Sequence, residues 1–238
     1  MFAFVRRGAL AACLLVSSTA LAHVELISGP APAGKSAEIT FAIGHGCEDA
    51  NGTKIDTYKV RVDIPAGVTG VRVVQTDFGK AVPIKNGADI VAFEWTRDTS
   101  LLLDDDVNYY KITVRAKVPD APYTKLQWNV TQSCRSASGT EAGPVLWDQP
   151  EDSTAGNPAP IVTVAPAHVA GWNKLTIPTG VTVAHADLPT YFGDAQIVWK
   201  GTSAYSPNSN TNAQIANTAG VTPLDGDLVA GDEVWVRY

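Results

Sequence analysis

The stretch Tyr58-Lys-Val-Arg-Val-Asp-Ile64 predicts the fold class of this chain. Its apolar residues alternate with Lys59, Arg61 and Asp63, and this period of two is typical of a strand with one buried face. The same alternation recurs in three later segments, formed by Val91-Phe93-Trp95, Ile112-Val114-Ala116 and Leu126-Trp128-Val130. We therefore expect each of these segments to be a half-buried β-strand.

Turn signals separate these strands. They include Pro65-Ala-Gly67, Asn86-Gly87 and Pro119-Asp120, and no stretch combines a helical period with capping residues. Short, regularly spaced strands favour an all-β fold. We predict an antiparallel β-sandwich, cupredoxin-like or immunoglobulin-like, over residues 23–165, followed by a small β-rich module at 168–238.

The N-terminus has the pattern of a secretory signal. Arg6 and Arg7 form a basic region, an apolar run follows, and Ala20-Leu-Ala22 supplies the small residues before a cleavage site. We expect residues 1–22 to be removed and the mature protein to begin at His23, in the periplasm or outside the cell. A second interpretation takes Leu10-Ala-Ala-Cys13 as a lipoprotein cleavage site. Only a few apolar residues separate this segment from Arg7, which is too few for the hydrophobic region of a signal peptide.

Charge and hydropathy limit the partners. The full chain has a formal net charge of −6, which becomes −8 once the two signal arginines are removed. Because no basic cluster is present to neutralise phosphates, we expect no nucleic-acid partner. No run of about 20 apolar residues follows the signal, so we expect no transmembrane segment in the mature chain.

Two cysteines, Cys47 and Cys134, remain after the signal. In an oxidising compartment, two cysteines most simply form a disulfide, worth roughly 4 kcal/mol for a loop of this length. A thiolate site for a soft metal is the other interpretation. Nothing in the sequence resembles a Ser/His/Asp or Cys/His constellation, so hydrolysis is not supported.

A histidine at a free N-terminus can chelate a metal. The α-amino nitrogen and ring Nδ1 of His23 belong to one residue, and their ordinary pKa values of roughly 8 and 6.5 leave little proton competition near neutrality. Two nitrogen donors suit tetragonal Cu(II), and the only methionine, Met1, leaves with the signal, which excludes a thioether site for Cu(I). Without further support, a leading histidine could equally be an accident of processing.

Several segments together resemble the YcnI-like copper-binding domain over residues 23–165. They are His23 after the signal, Ile39-Thr-Phe-Ala-Ile43 followed by Gly44-His-Gly-Cys-Glu48, Val62-Asp-Ile-Pro65, Val91-Ala-Phe-Glu-Trp95, and Val145-Leu-Trp-Asp148 before Pro158-Ala-Pro160. The resemblance implies a cupredoxin-like sandwich that holds Cu(II) by a monohistidine brace. In such a brace the amine and Nδ1 of the first histidine act with a glutamate, beside a tryptophan.

Transferred to this chain, the resemblance implies His23 as the brace, Glu48 as the carboxylate and Trp147 as the indole. The indole N–H of Trp147 only donates hydrogen bonds, so it is not an ordinary metal ligand. The ring could instead cover the ion by a cation–π contact. Taken alone, Glu48 would be a solvated loop carboxylate and Trp147 a core residue. The chain departs from the family pattern at His45, which could be a further ligand, as in the two-histidine brace of copper oxygenases that cut polysaccharides, or a plain loop histidine.

These residues predict an exported protein that holds Cu(II) for acquisition, storage or delivery. Its partners would be the copper ion and either a membrane copper transporter or another copper chaperone. One alternative is a copper-dependent oxidative enzyme acting on polysaccharide. Another is a surface interaction protein without metal.

The C-terminal module, residues 168–238, opens with Gly171-Trp-Asn173 and closes with Gly231-Asp-Glu-Val-Trp-Val236. This order is similar to a small β-rich module of bacterial surface proteins. We predict Trp172, Trp199 and Trp235 as its core, with a stacking platform for sugar rings as the alternative. The segment 207–218 is predicted to be a loop, and His168 and His185 to be structural or exposed. The run Asp104-Asp-Asp106 is predicted to be a solvated loop rather than a calcium site.

Overall fold

A computed structural model describes residues 24–103, 107–154 and 156–238. The predicted signal peptide, Cys13, His23 and the acidic run 104–106 lie outside these ranges. Their interpretation from the sequence therefore stays a prediction.

The described residues up to Ala165 are built almost entirely from strands. In chain order they are β1 Val24–Leu26, β2 Ala31–Pro32, β3 Ser36–Ile43, β4 Cys47–Glu48, β5 Lys54–Ile55, β6 Thr57–Asp63, β7 Thr69–Val73, β8 Lys80–Asn86, β9 Asp89–Thr96, β10 Tyr110–Lys117, β11 Thr124–Gln127, β12 Val130–Arg135, β13 Glu141–Gln149, β14 Asn157–Pro158 and β15 Ile161–Ala165. A short 3₁₀ turn lies at Thr99–Leu101.

Three sheets enclose one hydrophobic core. Their strand orders are β1-β3-β10-β7, β11-β15-β2 and β14-β13-β12-β6-β9-β8. The alternating apolar side chains point inward from each sheet, as Phe41, Val62 and Val162 illustrate. The predicted all-β sandwich is confirmed, because burial follows the period of two that the sequence shows.

The segment Leu126-Trp128-Val130, predicted as one strand, is two strands in different sheets. β11 pairs with β15, whereas β12 pairs with β6 and β13. Trp128 lies between them, fully buried, and its backbone N–H donates to the Pro160 carbonyl at 2.9 Å. The chain changes sheets here so that both strands can bury their apolar face against the same core.

The C-terminal part has its own hydrophobic cluster and a five-stranded sheet of order β16-β22-β18-β19-β20. Its elements are β16 Trp172–Thr176, β17 Thr182–Val183, a 3₁₀ turn at His185–Asp187, α1 Leu188–Phe192, β18 Ile197–Lys200, β19 Ser203–Tyr205, α2 Ser209–Asn217, β20 Thr222–Pro223, β21 Leu228–Val229 and β22 Glu233–Arg237.

Helix α2 overturns the prediction of a loop at 207–218. Asn208 caps the helix, and its side-chain oxygen accepts hydrogen bonds from the backbone N–H groups of Asn210 and Thr211 at 2.9 and 3.2 Å. Only Ile215 is buried in this helix. One apolar anchor is too little to produce a helical period, which is why the sequence pattern missed it.

Tyr123 joins the two parts. It is the one non-glycine residue of the described ranges with a left-handed backbone, at φ 67°. Its ring lies 5.3 Å from that of Tyr191 and 6.2 Å from that of Phe192, and Tyr191 Oη donates to the Tyr123 carbonyl at 3.3 Å. A residue of the first part therefore packs in the core of the second.

Within the described ranges, no helix has the length and apolar character needed to cross a membrane.

Candidate metal centre

Strand β1 starts beside the segment that carries two of the predicted ligands, His45 and Glu48. Val24, which follows His23 in the sequence, is paired with Ile43 in the antiparallel ladder of β1 and β3. Ile43 leads directly into Gly44-His45-Gly46-Cys47-Glu48. The strand register therefore brings the start of β1 next to this segment, which we call the ligand loop (residues 44–48).

A disulfide ties the ligand loop to β12. Cys47 in β4 is bonded to Cys134 in β12, with 5.7 Å between their Cα atoms, and this confirms the predicted pairing. Gly46 fixes the loop further, because a Cβ at this position would come 1.8 Å from the Ile55 carbonyl oxygen. No side chain fits there, so the loop approaches β5 only with a glycine.

Gln132, two residues before Cys134 in β12, also holds the loop. Its side chain is 1% exposed, and its Nε2 donates to the His45 carbonyl at 2.7 Å and to Thr57 Oγ1 at 2.9 Å. Thr57 Oγ1 also donates to the His45 carbonyl, at 3.3 Å. The His45 backbone is therefore anchored by two hydrogen bonds, while the ring is half-buried with its Nδ1 against the Gly46 carbonyl.

Trp147 belongs to the same network. It lies in β13 opposite Val130, is 3% exposed, and its Nε1 donates to Gln132 Oε1 at 3.3 Å. Gln132 thus connects the indole to the ligand loop through one side chain. The ring also packs in the main core.

Glu48 is exposed at the end of β4, paired with Lys54 of β5. Its neighbour Cys47 is buried, so the strand turns the carboxylate toward solvent while the Cys47 sulfur points inward to its bond with Cys134. An exposed carboxylate on the ligand loop is accessible to a metal ion. It is equally well hydrated without one.

A buried ion pair lies beneath the loop. Asp56 is 0% exposed and accepts hydrogen bonds from Arg97 Nη1 at 2.7 Å, Tyr110 Oη at 2.6 Å and the Leu103 backbone N–H at 3.1 Å. Burial, and then the hydrogen bond and charge of Asp56, raise the pKa of Tyr110 well above its ordinary value. The network ties β6, β9 and β10 together directly after the β4–β5 hairpin.

The side chains of the described ranges contain no group of three or more His, Cys, Asp or Glu that could hold a metal. The predicted set of His23, His45 and Glu48 includes one residue outside these ranges. His45 and Glu48 both lie on the ligand loop, and Trp147 reaches the loop through Gln132. The cysteines are joined to each other, which removes the alternative of a thiolate metal site.

Sequence reasoning missed Gln132 as a residue of this centre. A signal was present, because Gln132 is in phase with Val130 and Cys134, both of which face inward on β12. A glutamine on the buried face of a strand needs hydrogen-bond partners. It finds them in the ligand loop and in Trp147.

The predicted core role of the C-terminal tryptophans is wrong. Trp172 and Trp235 are 50% and 49% exposed, and Trp199 is half-buried. Val198, Val234 and Val236 occupy the inward positions of the same strands, so the strand period turns the indoles outward. Of the two remaining histidines, His185 is exposed, and His168 stacks on Tyr238 with 3.5 Å between ring centres.

Comparison with known families gives one match. The model of a family described as a domain of unknown function (DUF1775) matches residues 23–164, and this is the family that the sequence resemblance indicated. No curated protein matches the chain.

Solved structures with some similarity come from several bacteria. An uncharacterised immunoglobulin-like protein from Nocardia farcinica is 19% identical, with a TM-score of 0.46, over 60% of this chain and 99% of its own. A type I cohesin from Pseudobacteroides cellulosolvens is 9% identical, with a TM-score of 0.36, over 62% and 94%. The major pilin subunit of Bacillus cereus is 11% identical, with a TM-score of 0.35, over 87% and 52%.

Proposed function

The chain belongs to the DUF1775 family, and within that family we propose that it is an exported, non-catalytic protein that binds Cu(II) through a mature N-terminal His23. Its role would be copper acquisition, storage or delivery in the periplasm or outside the cell. The receiving or donating partner would be a membrane copper transporter or another copper chaperone.

The observation that carries this proposal is the pairing of Val24 with Ile43. His23 directly precedes Val24, and the ligand loop directly follows Ile43. One amine, one imidazole and the carboxylate of Glu48 would supply two nitrogen donors and one oxygen donor. This is a set that suits tetragonal Cu(II).

The surroundings of the loop favour a fixed ligand position. The disulfide and Gln132 both tie it to β12, so little ordering of the backbone remains to oppose metal binding. Trp147 lies inward of the loop, where its indole would exclude water from one side. His45, whose backbone is held at the same place, would provide either a further nitrogen donor or a hydrogen bond to a ligand.

The experiment is Cu(II) electron paramagnetic resonance on two versions of the protein. One begins at His23, and the other carries one alanine before it, which converts the α-amine of His23 into an amide. We expect a tetragonal signal with nitrogen hyperfine structure in the first version, and its loss in the second. The same signal in both versions would overturn the brace.

Two substitutions and a matched control assign the remaining donors. We expect Glu48→Gln to weaken Cu(II) binding by about tenfold, the cost of losing one charged ligand contact of about 1.4 kcal/mol. His45→Ala separates the two roles of that ring, because only a ligand changes the number of coupled nitrogens. His185→Ala is the matched control, since this exposed histidine lies in the C-terminal part and should leave the signal unchanged.

A further inference from the structure

The C-terminal sheet carries three tryptophans on its outer side. Trp172 lies in β16, Trp235 in β22 and Trp199 in β18, and these three strands are neighbours in the sheet. Trp235 is paired directly with Trp199, and Trp172 is two residues from Lys174, the other partner of Trp235. We call these three side chains the tryptophan face.

The tryptophan face crosses the strands instead of following one of them. Neighbouring strands are about 4.8 Å apart, so the outer two tryptophans are separated by roughly 10 Å across the sheet. The three indoles line an open cleft of about 330 Å³, with Gly201 of the β18–β19 turn at its rim. A glycine at this rim adds no side chain that would obstruct access to the indoles.

Charged groups surround the indoles and nearly cancel. Lys174 is paired with Glu233 at 2.6 Å, Lys200 is paired with Asp232, and Arg237 is exposed on the same strand as Trp235. The cores of protein interfaces are depleted in charge, so this mixture does not fit one well. Flat apolar rings bordered by hydrogen-bonding groups do match a sugar, which has an apolar C–H face and hydroxyl groups around its edge.

The size of the face also argues against a second protein copy. Two indoles that are half exposed and one that is half-buried offer roughly 300 Å² of aromatic surface. A stable protein interface needs about 800 Å² from each partner. The face therefore suits a small ligand or a linear chain better than a dimer contact.

We propose that the tryptophan face binds a neutral polysaccharide, whose pyranose rings stack on Trp172, Trp235 and Trp199. Neutral chains are favoured because Lys174 and Glu233, which lie on the same side of their strands as Trp172 and Trp235, are paired with each other, and because the whole chain is acidic. This site is independent of the copper proposal, since it uses a different sheet and no residue of the ligand loop.

The test measures retention of the full-length protein on microcrystalline cellulose and on insoluble chitin. Soluble cello- and chito-oligosaccharides are titrated in parallel while tryptophan emission is recorded. We expect retention on at least one solid, with a blue shift of the emission. Trp172→Ala and Trp235→Ala should each weaken oligosaccharide binding by about tenfold.

Two controls make the result specific. Tyr109→Ala removes an exposed aromatic ring from the other part of the molecule and should leave binding unchanged. Thermal unfolding of each variant should match that of the parent, since the removed rings lie outside the core formed by Val234 and Val236.

Several outcomes would overturn the proposal. These are no retention on either solid together with no response to the oligosaccharides, equal binding by the Trp172→Ala/Trp235→Ala double variant, or binding restricted to an anionic polymer such as alginate and lost in salt. A concentration-dependent dimer that the double variant abolishes would instead assign the face to a second copy of the chain.

Discussion

Replacing Gln132 by methionine tests the network that holds the ligand loop. The substitution keeps an unbranched side chain of similar size and removes three hydrogen bonds, to the His45 carbonyl at 2.7 Å, Thr57 Oγ1 at 2.9 Å and Trp147 Nε1 at 3.3 Å. At about 1 kcal/mol for each bond, the loss is about 3 kcal/mol. Thr57 still donates to the His45 carbonyl and compensates in part, so we expect a decrease of about 2 kcal/mol in the free energy of unfolding.

Urea unfolding of the oxidised protein provides the measurement. Gln75→Met is the control, because Gln75 is exposed and its replacement should change the free energy of unfolding by less than about 0.5 kcal/mol. The midpoint, and not the slope with urea, should change for Gln132→Met, since the surface exposed on unfolding is nearly the same.

A double-mutant cycle isolates the bond between Gln132 and Trp147. In a Trp147→Phe background this bond is already absent, so Gln132→Met should cost about 1 kcal/mol less than in the parent. The reasoning is refuted by a cost below about 0.5 kcal/mol in the parent, or by an equal cost in both backgrounds.

Two further predictions concern buried polar groups. Arg97→Met should lower the free energy of unfolding by about 3 kcal/mol, because it leaves the fully buried Asp56 without its cation. Lys125→Met, which breaks an exposed ion pair, should cost less than about 1 kcal/mol. Urea unfolding of the two variants compares these losses, and similar losses would contradict this account. The second concerns Tyr123, whose pKa is raised above its ordinary value of 10.0 mainly by burial, and then by the nearby Tyr238 and Tyr191. The unfolded chain therefore loses this proton before the folded one does, so the stability that it contributes is complete below pH 10 and should fall by about 1.4 kcal/mol for each pH unit above it. Unfolding at a series of alkaline pH values checks this, and a Tyr123→Phe variant with an undiminished slope would contradict it.

The strands could be predicted because a single physical cause produced the pattern. In β6 and β10 one face meets the core and the other meets water, so apolar and polar residues alternate along the sequence. The disulfide could be predicted from the number of cysteines alone. The exchange of sheets at Trp128 could not, since both strands bury the same face and the alternation continues across the break.

The C-terminal tryptophans show how a period can be interpreted in the wrong phase. Val234-Trp235-Val236 alternates like any strand, and either the two valines or the tryptophan can face the core. Choosing the larger residue was wrong, because Val198 and the two valines fill the interior together. The contacts of Gln132 depend on which strands become neighbours, and sequence periodicity does not contain that information.

Tyr123 links the folding of the two parts of the molecule. By sequence it lies inside the segment that matches the family, and by packing it lies in the C-terminal core. Its left-handed backbone carries a strain of about 1–3 kcal/mol, which the contacts with Tyr191 and Phe192 offset. A chain shortened to the family segment would keep this strain, lose its compensation and expose an apolar ring at the start of β11. The stability of the sandwich is thus in part a property of the module that follows it, and cooperativity extends across the boundary that the sequence suggests.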